Sequence, residues 1–100
     1  MHKLRFTRAA SRDLDEIQEY IARDNPTAAK RFTETLIMRC RALTTTPHMG
    51  PARPDVGSDI RVLVIPRNYA ILYRIEGDEV QIIRAVHTAM DIRRVLKSDC

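Results

Sequence analysis

The chain has 100 residues, 44% of them apolar and 30% charged, which suits a single domain over residues 1–100 with one modest core. Seventeen Lys and Arg face thirteen Asp and Glu, a net charge of +4. The length excludes a (β/α) barrel of ~250 residues, and the longest apolar run, Tyr69 to Tyr73, falls far short of the ~20 residues that cross a membrane.

Lys3 to Phe6 reads as a short opening strand. Thr7 is suited to cap a helix, because its hydroxyl can accept a free N–H of the first turn. The helix it opens is expected over about Arg8 to Arg23. Ala10, Leu14, Ile17 and Ile21 recur at threes and fours and share one face. Asp13, Glu16 and Glu19 are expected on the wetter side. Asp24-Asn25-Pro26 breaks the pattern sharply: proline fits the first position of a new helix, and Asn25 can cap it. The second helix is expected over about Pro26 to Thr44, with Ala29, Phe32, Leu36, Cys40 and Leu43 turned inward. So short a linker folds the two helices back into an antiparallel hairpin.

Thr44 to Asp59 carries Pro47, Gly50, Pro51, Pro54 and Gly57 and reads as a loop throughout. Loops of that length in a small domain tend to carry function. Strands follow: Ile60 to Ile65, then Tyr69 to Ile75, then Glu79 to His87. Pro66-Arg67-Asn68 and Gly77-Asp78 supply the turns between them. Asp91 to Lys97 is a short helix or tail. Helix pair and sheet must bury their apolar faces on each other. The expected architecture is therefore α+β in two layers, a helical hairpin packed on an antiparallel β-sheet, in the order β-α-α-β-β-β. Sequence does not place the opening strand within the sheet.

The cationic excess is almost all arginine, with only Lys3, Lys30 and Lys97 as lysines. Arginine offers a planar donor fork for carboxylates, phosphates or aromatic faces. An acidic protein partner, a nucleic-acid complex and a plain solubilising surface all fit that excess. Cys40 lies in a helical pattern and Cys100 ends the chain, with no Cys-x-x-Cys and no Cys/His spacing suited to zinc. No metal and no cofactor are expected. The first residues lack the ~7–15-residue apolar core of a secretion signal, so a cytoplasmic location is expected, with no membrane partner.

His87, at the end of the last strand, is the histidine best placed for acid–base work. Arg61, Arg74 and Arg84 lie on neighbouring strands. A set such as His87, Arg61 and Arg74 could cleave RNA, the imidazole moving protons and the guanidiniums holding developing negative charge. A strand-end histidine packed or hydrogen-bonded against the following turn fits the pattern better. There is no Gly-x-Ser-x-Gly elbow and no phosphate-binding glycine loop. Tyr69 and Tyr73 share one strand face and could stack bases or pack under the helices. Arg61 and Arg67 flank the hairpin and could serve an acidic partner.

Taken together, several stretches resemble a known family. They are Ala10-x-x-Asp13-Leu14-x-x-Ile17-x-x-Tyr20-Ile21, Asn25-Pro26-x-Ala28-Ala29-x-x-Phe32, Pro47-x-x-Gly50-x-x-Arg53-Pro54, Arg61-Val62-Leu63, Arg67-Asn68-Tyr69-Ala70-Ile71-Leu72-Tyr73-Arg74, and Val86-His87-Thr88-Ala89-Met90-Asp91. In order, spacing and length they resemble the ParE toxins of the RelE/ParE superfamily, across nearly the whole chain. Many such chains carry arginine where Met90 stands here, and Arg93 and Arg94 lie close by.

The resemblance implies the toxin of a type II toxin–antitoxin pair, acting on DNA gyrase without catalysis. A ParD-like antitoxin with a flexible acidic tail would neutralise it in a hetero-oligomer. It also implies an alternative, the RelE-like ribosome-dependent mRNA endoribonuclease. The helix break at Asn25-Pro26 and the Tyr69-x-x-x-Tyr73-Arg74 strand resemble the ParE side. Residues expected to meet target or antitoxin are Arg61, Arg67, Tyr69, Tyr73, Arg74, Arg93 and Arg94. Ile21, Ile37 and Met38 join them as a helix groove in which an acidic segment could order.

Overall fold

A computed structural model describes residues 1–89 and 92. The elements are β1 (Lys3–Phe6), α1 (Arg8–Asp24), α2 (Pro26–Ala42), β2 (Arg61–Ile65), one 3-10 turn (Pro66–Asn68), β3 (Tyr69–Glu76) and β4 (Glu79–His87). Thr7 caps α1 as its sequence suggests, its hydroxyl oxygen accepting the Ala10 N–H at 3.1 Å. The same hydroxyl donates to the Ile83 carbonyl at 2.8 Å and so ties the helix start to β4. Asn25 separates the helices with an extended backbone; its side-chain oxygen accepts the Ala28 N–H at 3.0 Å, and Pro26 opens α2. Past Ala42, the Thr44 and Thr46 hydroxyls donate to the Arg41 and Ala42 carbonyls, which satisfies groups the helix end leaves open.

The four strands form one sheet in the order β1-β4-β3-β2. β2, β3 and β4 are the expected antiparallel meander. β1, which sequence left unplaced, pairs parallel to β4 with Lys3 opposite Glu79, so the sheet is mostly antiparallel. The reason lies in connectivity. A strand followed by a helical hairpin returns to the sheet from a crossover, and crossovers allow parallel neighbours. Between Leu72 and Tyr73 the β3–β4 register shifts by one residue, leaving Ile83 as a bulge on β4.

Both faces of the sheet are covered. Toward the helices, Leu63, Ile65, Tyr69, Ile71, Tyr73, Val80, Ile82 and Ala85 meet Ala10, Ile17, Ile21, Ala29, Phe32, Leu36, Cys40 and Leu43. On the reverse face, Val62, Ala70, Leu72 and Val86 form a second cluster with Val56 and Ile60 of the long loop, and Ile92 packs against it. The expected C-terminal helix or tail otherwise lies outside the described residues. Among the described residues, no helix is long and apolar enough to cross a membrane.

Candidate functional site

Asp13 was expected on the wet side of α1, and the structure corrects this: it is 9% exposed. Its carboxylate accepts from Arg84 Nε at 2.6 Å, from Arg84 Nη2 at 3.0 Å and from the Ala85 N–H at 3.0 Å. β1 ends at Phe6, so beyond Ile82 the side of β4 that faced it has no strand beside it. The Thr7 hydroxyl and the Asp13 carboxylate take over there, and the bulge at Ile83 falls at the same point. The signal was present in the sequence. Asp13 lies only ~60° around the helix from Ala10, inside a buried stripe that is ≳100° wide.

Tyr73 is fully buried, and its hydroxyl works against the long loop. It donates to the Pro47 carbonyl at 2.7 Å and accepts the Gly50 N–H at 2.8 Å. Arg61, opposite Tyr73 in the ladder, donates from Nη1 to the Gly50 carbonyl at 2.8 Å. Burial pushes the Tyr73 phenol above its ordinary pKa, opposed by the Gly50 hydrogen bond and the nearby Arg61 charge. Gly50 is required by this crowding. A Cβ there would sit 2.8 Å from the Tyr73 ring and hydroxyl and 2.9 Å from the Val62 carbonyl.

At the other end of β3, Tyr69 is buried against Phe32 and lies edge-on to His87, each ring pair 5.1 Å apart. Burial raises the Tyr69 phenol, the neighbouring Tyr20 phenol adds to the rise, and Arg67 opposes it. Tyr20 itself is 66% exposed. His87 is half-buried, and its Nδ1 accepts the Ala89 N–H at 3.0 Å, which in the neutral ring leaves the proton on Nε2. Beside this cluster is a cleft of about 270 Å³ lined in part by Asn25, Thr27, Arg31, Phe32, Pro66 and Arg67. Arg67 and Asn68 both take left-handed backbone, at φ 66° and 61°, an uncommon conformation for residues with a Cβ.

The histidine and arginines considered for RNA cleavage are not brought together. His87 pairs with Tyr69, Arg61 with Tyr73, and Arg74 with Gln81. At ~3.3 Å per residue, Arg61 and Arg74 stand ~13 and ~17 Å along the strands from His87. Arg74 is occupied on the far side, with Gln81 at 2.8 Å and Glu76 at 3.6 Å. Of the helix-groove residues, Ile21 is in the core, Ile37 is half-buried against it, and Met38 is 63% exposed. Arg93 and Arg94 lie outside the described residues. Among the described residues, no cluster of three or more His, Cys, Asp or Glu could hold a metal ion.

Two helices packed on a four-stranded, mostly antiparallel sheet define a small α+β domain. A family described as "ParE toxin of type II toxin-antitoxin system, parDE" matches residues 4–92, and the chain belongs to that family. A Sinorhizobium fredii protein named "Putative toxin Y4kP" is 36% identical over 95 residues, 94% of this chain and 96% of that protein. A solved structure titled "Chromosomal ParDE TA system from P. aeruginosa" superposes with a TM-score of 0.74 at 28% identity, covering 87% of this chain and 96% of that one. The chain is thus a ParE-type toxin of the type II toxin–antitoxin class.

Proposed function

We propose that this toxin inhibits DNA gyrase by binding, without catalysing bond cleavage, and is neutralised by a ParD-like antitoxin whose flexible acidic tail orders on its surface in the cytoplasm. The observation that carries the non-catalytic reading is the separation of His87 from Arg61 and Arg74. Proton transfer needs groups within hydrogen-bond reach of one substrate atom, and here each arginine already holds a partner at its own place. The fold favours binding in another way. Arg31 and Arg67, both exposed, rim a cleft whose lining includes no carboxylate, which suits an acidic segment or a charged macromolecular target.

In this proposal the exposed Arg67, Arg74 and Met38, with half-buried Ile37, make direct contacts, and Arg93 and Arg94 extend the basic surface. Buried Ile21, Tyr69 and Tyr73, with Arg61, shape that surface from beneath. Expression of the chain alone tests the reading. The expected result is growth arrest with DNA-damage signalling and intact transcripts, relieved by co-expression of a small ribbon-helix-helix protein with an acidic tail encoded next to it. Ribosome-dependent transcript cleavage that disappears in His87→Ala would favour the RelE-like alternative instead.

A further inference from the structure

The loop between α2 and β2 wraps around the edge of the sheet. It leaves the helical layer at Pro47, where the Tyr73 hydroxyl grips it. It then runs beside β2 as a short extra strand: the Val62 N–H donates to the Pro51 carbonyl at 3.1 Å, the Arg53 N–H donates to the Ile60 carbonyl at 2.8 Å, and Ala52 bridges Arg61. Finally it lays Val56 and Ile60 onto the reverse-face cluster. Inside this segment the Arg53–Asp55 pair, at 2.9 Å, is solvent-exposed and adds little to its hold. No regular helix or strand anchors it internally, and Pro47, Pro51 and Pro54 interrupt it.

We propose that residues 47–60 form a strap that opens as one unit while the helices and sheet stay folded, and that Gly50 is its catch. Two contacts and one steric limit converge on that catch: the Tyr73 hydroxyl takes its N–H, the Arg61 guanidinium holds its carbonyl, and a side chain at position 50 would displace both tyrosine and strand. The buried apolar load beyond the catch is small, namely the two β-branched side chains of Val56 and Ile60. Segments with few apolar contacts open at lower free energy than the core around them. Opening bares Val62, Ala70, Leu72 and Val86 on the reverse face. Tyr73 and Arg61 therefore act as positioning residues for the strap, independently of which target the toxin takes.

Hydrogen exchange on the full chain separates strap opening from unfolding. The Val62 amide is bonded to the strap at Pro51, whereas alternation along β2 turns the Leu63 amide into the β2–β3 ladder. Removing the hydroxyl with Tyr73→Phe is expected to speed exchange at Val62, whose acceptor lies in the strap, by about ten- to a hundredfold. In the wild type and in the variant alike, Leu63 and Ile71 should exchange more slowly than Val62, because their opening requires the sheet to come apart as well. Thermolysin, which cuts before large apolar residues, should then nick at Val56 and Ile60 faster by a similar factor. Arg61→Met releases the Gly50 carbonyl and is expected to act in the same direction, more weakly. An unchanged Val62 amide in both variants would overturn the proposal. So would equal exchange rates for Val62, Leu63 and Ile71 in the wild type, because strap and sheet would then open together.

Discussion

Removing the Asp13 carboxylate is a sharp test of how α1 is fastened to β4. Asp13→Ala takes two carboxylate hydrogen bonds from the Arg84 guanidinium and leaves the Ala85 N–H without its acceptor. Breaking a fully buried ion pair costs about 3–5 kcal/mol. Arg84 here keeps 18% of its side chain exposed, so water can recover part of that loss. About 2–4 kcal/mol is the expected cost, once the unpaired amide is included. That is a large share of the ~5–15 kcal/mol that holds a small domain folded. It corresponds to a fall in melting temperature on the order of 10–30 °C. Asp13→Asn keeps an acceptor for Ala85 and should cost less. Urea unfolding of Asp13→Ala, Arg84→Ala and the double variant measures the coupling, expected at roughly 1–3 kcal/mol. A cost below ~0.5 kcal/mol for Asp13→Ala, the level of an exposed pair, would refute the buried-clamp reasoning.

Other consequences follow from single residues. Gly50→Ala drives a Cβ into Tyr73 and Val62 and should cost about 3 kcal/mol, near the top of the overpacking range. Gly77→Ala meets open space but keeps φ at +60°, so about 1–2 kcal/mol of backbone strain is expected; calorimetry of the two variants should rank them in that order. Burial pushes the Cys40 thiol from 9.0 up to about 12, so a thiol reagent at pH 8 should leave Cys40 unmodified until urea unfolds the chain. The folded-state value is raised, so that contribution to stability is complete below pH ~9 and is lost as pH climbs toward 12. The urea midpoint should accordingly fall less between pH 8 and pH 10.5 in Cys40→Ala than in the wild type.

The helices were legible because their apolar stripes, the Thr7 cap and the Asn25-Pro26 break are all local signals. β3 was legible from its alternation, and the start of β4 from the Gly77-Asp78 turn before it. Three features depend on contacts distant in sequence and left weaker traces. The parallel place of β1 depends on a contact between residues 76 positions apart, as Lys3 meets Glu79. The ion pair of Asp13 joins residues 71 apart, and a carboxylate among charged neighbours looks solvated until its partner is known. Tyr73 shares a strand face with Tyr69, and sequence reads both as candidate contact residues; only the folded loop shows that its hydroxyl is spent on Pro47 and Gly50. The same limit applies to Arg61 and Arg74, which sequence groups with His87 and the ladder sets apart.

Whether this toxin works by gripping its target is decided most directly by a supercoiling assay with purified gyrase and purified toxin, beside a translation-coupled mRNA cleavage assay. Dose-dependent loss of supercoiling with undamaged message, unaffected by His87→Ala, is the predicted result. Unimpaired supercoiling, together with mRNA cleavage that vanishes in His87→Ala, would contradict it.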